Sequence, residues 1–230
     1  MLNSVNFELK IDDYKFPELE RLDGEPRAYL TPDGTRLPSV TSVTSLVTKE
    51  GIKKWRGAVG EEAANKISKK ASGRGTSVHN LAEKYILKHE DFNQLYAKAM
   101  PDAIDLFNKI RRVLNSKLTA VHALETRIWS DYLKVAGTVD CIGMYNGKLA
   151  VIDFKTASKS KEEKWIDHYF MQTSAYACAW YELTKEPINT MVVIIANDDD
   201  LEAQIFEKTT YEYLLKFAEV RRQFKQLHGF

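Results

Sequence analysis

The spacing of apolar residues changes twice along the chain. Residues 1–38 sustain no period: four of the six prolines lie here, among turn-like pairs such as Asp23-Gly24 and Asp33-Gly34, so the stretch reads as hairpins or an irregular arm. From Ser39 the pattern turns helical, first over VTSVTSLV and then over GIKKWRGAVGEEAANKISKKA, where Ile52, Trp55, Val59 and Ala63 recur at helical spacing. Gly73 and Gly75 are expected to break that run. A second helix is expected from Thr76 or Ser77, either of which can cap it, with Val78, Leu81, Ala82, Tyr85 and Ile86 as its apolar stripe. A third follows Pro101, through Ile104 to Leu114.

Beyond that helix the period becomes strand-like, over VHALETRIW, AGTVDCIGMY and KLAVIDFKT, and later over NTMVVIIAN and the weaker EAQIFEK. A helical stretch from about Glu163 to Leu183 separates the two groups, and a last helix runs from about Tyr211 to Leu227. The order is helices, three strands, helix, two strands, helix. That order predicts an α/β fold, a central mixed β-sheet flanked by helices, with residues 1–38 as an arm or hairpin appendage to a domain over 39–230.

Composition narrows the chemistry mainly by exclusion. With 33 Lys plus Arg against 32 Asp plus Glu the net charge is +1, so attraction to phosphate must come from local clusters. The two cysteines, Cys141 and Cys178, are too few for a disulfide framework, a four-thiolate zinc site or an iron–sulfur cluster. A reducing cytoplasm, bacterial or in a phage-infected host, is the expected setting. The start, MLNSVNFELKIDDYKF, carries no basic-then-apolar leader, and no run approaches the roughly 18 apolar residues of a membrane span. No phosphate-binding loop of the GxxxxGK[ST] type is present, which argues against an ATP-driven motor.

The candidate chemistry sits on a hairpin. Asn146-Gly147 between two apolar runs is a strong signal for a two-residue turn, whose central positions both need positive φ. Residues equidistant from that turn face one another, so Asp140 is expected opposite Asp153 and Thr138 opposite Lys155, with Lys155 on the same face as Asp153. Like charges so placed repel. A hard divalent cation such as Mg²⁺ or Mn²⁺ would relieve the repulsion, and Lys155 could then help orient or deprotonate a water and offset the charge developing on a phosphate. The ordinary alternative is an ion-paired hairpin in which Lys155 bridges two acids.

The run GTVDCIG, then VIDFKTASK, then Gln172-Thr173-Ser174-Ala175-Tyr176, resembles the RecB-like branch of the PD-(D/E)xK nuclease superfamily. Upstream, LPSVTSVTSLV, WRGAVGEEAA and GRGTSVHNLAEKYI are similar to the mitochondrial genome maintenance exonuclease group and its phage relatives, the likeness running from about Leu37 to Tyr181. The resemblance implies a restriction-endonuclease-like core in which Asp140 and Asp153 ligate metal with the backbone carbonyl of Phe154, and Lys155 is the catalytic lysine. It further implies that His79 lies at the metal or phosphate, that Glu125 is an acidic ligand on the preceding strand, and that Gln172 and Tyr176 position the lysine, water or DNA backbone. Val139 stands where the superfamily's eponymous proline would be, a departure this branch often shows. The cysteine count matches the branch without an iron–sulfur cluster.

Each residue also has a plain structural reading: His79 as a surface partner of Glu83, Glu125 paired with Arg127, and Gln172 and Tyr176 as packing on a helix face extended by Tyr169 and Trp180. Basic residues gather at Lys53, Lys54 and Arg56; at Lys66, Lys69, Lys70 and Arg74; at Lys109, Arg111 and Arg112; and at Lys159, Lys161 and Lys164. Two of these clusters flank His79 or Lys155 and suggest a phosphate track, along which Trp55 or Tyr85 could stack on bases if exposed. Asp198-Asp199-Asp200 reads as a polar turn. The function expected is a Mg²⁺- or Mn²⁺-dependent DNA exonuclease acting at single-stranded ends or flaps in replication, recombination or repair, closed over by the N-terminal arm or the segment around Lys88 to Met100. The alternatives are an endonuclease or structure-specific flap nuclease of the same fold, a catalytically silent nucleic-acid-binding protein, and a structural protein with an ion-paired hairpin.

Overall fold

The computed structural model describes residues 7–230; the first six residues of the expected arm, and the start of the stretch examined for a leader, lie outside the described residues. Nine strands and six α-helices follow: β1 Glu8–Leu9, β2 Glu20–Leu22, β3 Ala28–Leu30, β4 Arg36–Pro38, α1 Val40–Val59, α2 Glu61–Ile86, α3 Phe92–Lys98, α4 Pro101–Lys117, β5 Leu118–Ser130, β6 Val135–Tyr145, β7 Lys148–Ala157, α5 Asp167–Thr184, β8 Thr190–Asn197, β9 Gln204–Thr209 and α6 Thr210–His228. Six strands form one mixed sheet in the order β1-β5-β6-β7-β8-β9, with β1 parallel to β5, β7 parallel to β8, and the other pairs antiparallel. A smaller antiparallel sheet, β2-β3-β4, packs Leu19, Tyr29 and Leu37 against Ala136 of β6.

The central sheet is buried on both faces. One face carries Val139, Ile142, Val151, Val193 and Ile195 against α1, α5 and α6; the other carries Val121, Cys141, Ile152, Phe154 and Ile194 against α2, α3 and α4. This is why β7 and β8 read as nearly continuous apolar runs. The parallel β7–β8 pair needs a crossover, and α5 supplies it. Almost every residue from Phe170 to Trp180 is buried, because α1 and α6 cover the side of α5 turned away from the sheet. No helix among the described residues is long and apolar enough to cross a membrane.

Several local expectations are corrected. VTSVTSLV and the following segment form one helix, α1, capped by the Ser39 hydroxyl on the Ser42 N–H. The break falls at Gly60, whose φ is +83°, and α2 runs unbroken through Gly73 and Gly75 and past Thr76 and Ser77. A glycine inside a helix costs about 1 kcal/mol relative to alanine, and the complete burial of Val78, Leu81, Ala82 and Ile86 outweighs it. The segment 88–100 holds α3, with Phe92 buried against Tyr85 and Phe107. Tyr85 is therefore core, its hydroxyl donating to Asn115, and Trp180 is fully buried rather than part of an aromatic surface. The helix expected from Glu163 begins at Asp167, after a short 3₁₀ turn over Glu163–Trp165.

Candidate active site

The Asn146-Gly147 turn forms as expected, with φ of +47° and +75°, and the β6–β7 register follows from it, from Tyr145 opposite Lys148 to Cys141 opposite Ile152. There the ladder stops. β6 continues beside β5 as far as Val135, and β7 continues beside β8 as far as Ala157, so the sheet forks one residue before the two aspartates. The expected ladder pairs Asp140–Asp153 and Thr138–Lys155 do not form. Instead Oδ2 of Asp140 accepts from the N–H of Phe154 at 2.8 Å, occupying the donor that the fork releases.

The opposite ladder is interrupted at the same level. Glu125 is absent from the β5–β6 pairs, although Leu124 faces Cys141 and Thr126 faces Val139, which places Glu125 across from Asp140. Its φ is +46°, a left-handed conformation that costs a β-carbon-bearing residue roughly 1–3 kcal/mol. The Thr126 hydroxyl spans the irregularity, accepting from the Leu124 N–H at 3.2 Å and donating to the Leu124 carbonyl at 3.0 Å. A kink in β5 and a fork between β6 and β7 thus open the sheet at one level.

α2 delivers His79 into this opening. Its Nε2 donates to the Phe154 carbonyl at 2.9 Å, while Nδ1 lies 3.4 Å from Glu125 Oε1 and 3.7 Å from Asp140 Oδ1. The expected partner Glu83 is replaced by these acids, and Arg127, expected beside Glu125, donates instead to the Leu19 carbonyl. Burial alone would depress the His79 pKa, but the carboxylates of Asp140 and Glu125 outweigh it and lift the imidazolium to about 9. Asp153 is almost wholly buried, with Oδ1 accepting from Gln172 Nε2 at 2.9 Å and Oδ2 in ion-pair contact with the Lys155 ammonium. Burial pushes Asp153 up to about 6, and the Lys155 charge opposes the rise. For Lys155 the attraction of Asp153 and Asp140 overcomes burial, so its pKa is raised and it stays charged.

The donor set suits a divalent cation. One ligand atom each from His79, Glu125 and Asp140 lies within 4.8 Å of the others. Ligands about 2.0–2.1 Å from a hard octahedral cation stand about 3–4 Å from one another, which these separations approach. With Nε2–H fixed on the Phe154 carbonyl, a neutral His79 presents its Nδ1 lone pair toward the two acids. Oδ2 of Asp153 is buried and engaged by the Lys155 ammonium, an anionic oxygen whose chemistry also suits a divalent cation. The Phe154 carbonyl, expected as a ligand, is here the acceptor for His79. Tyr176 is buried behind β6: a β-carbon on Gly137 would lie 2.6 Å from its hydroxyl oxygen.

Two residues that the sequence did not single out, Arg21 and Arg27, line a cleft of about 470 Å³ together with His79 and Glu125. They belong to the β2–β3 hairpin, 58 and 52 positions before His79, the nearest site residue, and nothing local in the sequence marks them. Of the predicted basic clusters, Lys109 is buried against the Asn197 carbonyl and Asp105, Arg112 binds Glu202, and Arg74 pairs with Asp198. Asp199 and Asp200 lie in a polar turn, their N–H groups bonded to the Asn197 side chain.

The model of the PD-(D/E)XK nuclease superfamily matches residues 53–228. Mitochondrial genome maintenance exonuclease 1 of Mus musculus is 24% identical over 168 residues, and that of Homo sapiens 26% over 133 residues. These matches take in 66% and 54% of this chain but only 48% and 38% of the relatives, so the likeness spans half or less of their length. A solved structure, that of SSO0001, aligns over 66% of this chain and 74% of its own at 20% identity, with a TM-score of 0.36. The family match covers His79, Glu125, Asp140, Asp153, Lys155, Gln172 and Tyr176 together, in a mixed sheet flanked by helices, and the chain belongs to the PD-(D/E)XK nuclease superfamily.

Proposed function

We propose that the protein is a divalent-metal-dependent DNA exonuclease acting at single-stranded ends or flaps in replication, recombination or repair. The observation that carries the reading is the meeting of His79, Glu125 and Asp140 within 4.8 Å at the fork that also holds the Asp153–Lys155 pair. Bound Mg²⁺ or Mn²⁺ would supply the Lewis acidity that phosphodiester hydrolysis requires. His79, Glu125, Asp140 and Asp153 hold the cation. Lys155, cationic and braced by Asp153, stabilises the charge that grows on the phosphate, and Gln172 fixes the Asp153 carboxylate through its amide. Tyr176 supports β6 from behind, through its contact with Gly137. Arg21 and Arg27 take the strand's phosphates along the cleft wall.

The exonuclease reading draws on the named relatives, which are exonucleases by name, and the cleft lined by His79 and Glu125 gives a strand a path to the metal site. It is tested by digesting end-labelled linear and circular single strands, with and without Mg²⁺ or Mn²⁺, using the protein and its Asp153→Asn and Lys155→Ala variants. Metal-dependent loss of linear strands alone, abolished in both variants, is expected. Cut circles would replace exonuclease by endonuclease, and intact DNA with binding retained would make the protein a silent binder.

A further inference from the structure

On the Lys155 side of the site, a groove of about 440 Å³ runs between α1 and the 3₁₀ turn that leads into α5. One wall is a single face of α1, carrying Val47, Gly51 and Ile52 at helical spacing; the other is Trp165 and His168. Burial of Ile166 in the core anchors the turn and leaves the indole before it outside. Trp165 is 53% exposed, and Ile52 and Val47 across the groove are 49% and 44% exposed. The space is open above Gly51, where a β-carbon would meet nothing within 4 Å, although alanine there would favour the helix.

His168 ties this groove to the site. Its ring packs on that of Tyr169 at a centroid distance of 4.0 Å, and the Lys155 ammonium lies 5.1 Å from the centroid of the same Tyr169 ring. A single phenol therefore stands between the groove wall and the ammonium. Burial, helped by the charges of Lys155 and Lys161, draws His168 down to about 4, so it presents a neutral flat ring. The Lys164 ammonium sits 5.4 Å from the Trp165 ring centroid, a cation–π contact beside the exposed indole. The acids at this end are already engaged, Glu162 by Lys164, Glu163 by Lys208 and Asp167 by Lys216. Lys159 and Lys161 have no carboxylate within ion-pair distance among the described residues, and α1 adds exposed Lys49, Lys53 and Lys54 against one acid, Glu50, in the same stretch. The surroundings of the groove thus carry a surplus of positive charge that the bulk composition hides.

We propose that this groove takes unpaired bases of the strand being cut, stacked on Trp165 against the α1 wall, while the flanking lysines attract the phosphates. The inference rests on the nuclease reading and names the form of its substrate. Exposed aromatic surface interleaved with unpaired cations is the chemistry of single-stranded nucleic acid, and it distinguishes this occupant from an apolar partner helix or a second copy of the chain. The volume lies within the roughly 300–1,000 Å³ of small-molecule sites, enough for a base. Every base offers a π-face, so the groove has no base preference. A base held in a duplex cannot enter, so the groove favours single-stranded ends.

The test compares a labelled oligothymidylate, a strand of abasic nucleotides of equal length and a blunt duplex, by Kd from fluorescence anisotropy in chelator and by KM for digestion with Mg²⁺. The unmodified protein is expected to hold the normal strand more tightly than the abasic one. Trp165→Ala should weaken binding of the normal strand about tenfold, in Kd or KM, with kcat, the abasic strand and the duplex little changed. Gly51→Leu fills the groove from the opposite wall while favouring the helix, so it should have the same effect without lowering Tm. Equal affinity of the unmodified protein for normal and abasic strands, or Kd and KM unmoved in both variants, would overturn the groove's role, and persistent metal-dependent digestion would leave the nuclease reading intact. Neither binding nor metal-dependent digestion would overturn both. A change of oligomeric state in Trp165→Ala by light scattering, with strand binding unaltered, would make the groove a contact between copies instead. If Trp165→Ala fails to fold, Gly51→Leu decides.

Discussion

Gly137→Ala isolates the contact on which β6 rests. A β-carbon at residue 137 would stand 2.6 Å from the Tyr176 hydroxyl oxygen, 2.9 Å from Cε1 and 3.2 Å from Cζ, all closer than ordinary contact. Tyr176 is buried in the middle of α5, between the sheet and the neighbouring helices, so the ring cannot swing into solvent. Relief needs a shift of several tenths of an ångström by the ring or by β6, three residues before Asp140. Overpacking of this kind costs about 1–3 kcal/mol, and in a chain of this size each kcal/mol lowers Tm by about 2–4 °C. The assay is a double-mutant cycle by thermal melting. Tyr176→Phe removes the nearest contact and leaves the one at 2.9 Å, so it should relieve part of the penalty. Tyr176→Ala is itself destabilising, but in that background Gly137→Ala should cost nothing, or stabilise by the few tenths to 1 kcal/mol that alanine gains over glycine in regular structure. An equal effect of Gly137→Ala in all three backgrounds would refute the packing argument.

Four further outcomes follow from the site. A saturating divalent cation should raise Tm by a margin that Asp140→Asn and Glu125→Gln remove, because a ligand that binds only the native state adds stability by mass action; an equal rise in all three proteins would place the cation elsewhere. Lys155→Ala should cut metal-dependent digestion by about 100-fold or more, and at pH 7 should also weaken the cation-induced Tm rise, since Asp153 loses the charge that opposes its protonation; raising the pH should recover the second effect and not the first. Gln172→Leu removes the donor to a buried carboxylate oxygen and should cost roughly 1–3 kcal/mol, with Gln172→Glu worse because it sets a second acid beside Asp153. Finally, the two raised pKa values give metal-free stability a definite slope: the stabilisation from protonated Asp153 is full below about pH 4 and lost as pH rises through 6, and that from protonated His79 is full below about 6.5 and lost through 9. Melting in chelator from pH 4 to 9 should show both declines, the second absent in His79→Gln, and a flat profile would contradict the assigned charges.

What the sequence made legible was local. Asn146-Gly147 dictates its own backbone and hence the register through Cys141 and Ile152, and the long apolar runs of β7 and β8 announce strands buried on both faces. Register arithmetic failed one residue later, because it assumes that a ladder continues. Whether it does depends on β8 drawing β7 one way and β5 holding β6 the other, with the Asp140 carboxylate satisfying the Phe154 N–H between them. The helix boundary failed for a related reason: glycine's cost in a helix is small against the burial of an apolar face that tertiary structure creates, whereas a left-handed φ at Gly60 ends the helix whatever surrounds it.

The same distinction explains which site residues could be found. Asp140, Asp153 and Lys155 stand within 16 positions and share one hairpin, so their spacing carries information, and His79 and Glu125 became candidates only through resemblance. The structure adds a physical reason for each of them. Glu125 is held in the left-handed region at the point where β5 releases Asp140, and His79 is oriented by a carbonyl that the fork leaves without a strand partner. The fork therefore does two things at once: it frees the backbone groups of Phe154, and it places beside them the side chains that use those groups. An arrangement of that kind leaves almost no trace in spacing, because the residues it joins lie on α2, β5, β6, β7 and α5. It also makes a sharp demand on any variant that closes the fork. Extending the β6–β7 ladder past Cys141 would return the Phe154 N–H and carbonyl to a strand partner, and would cost the site both the Asp140 carboxylate's position and the orientation of His79.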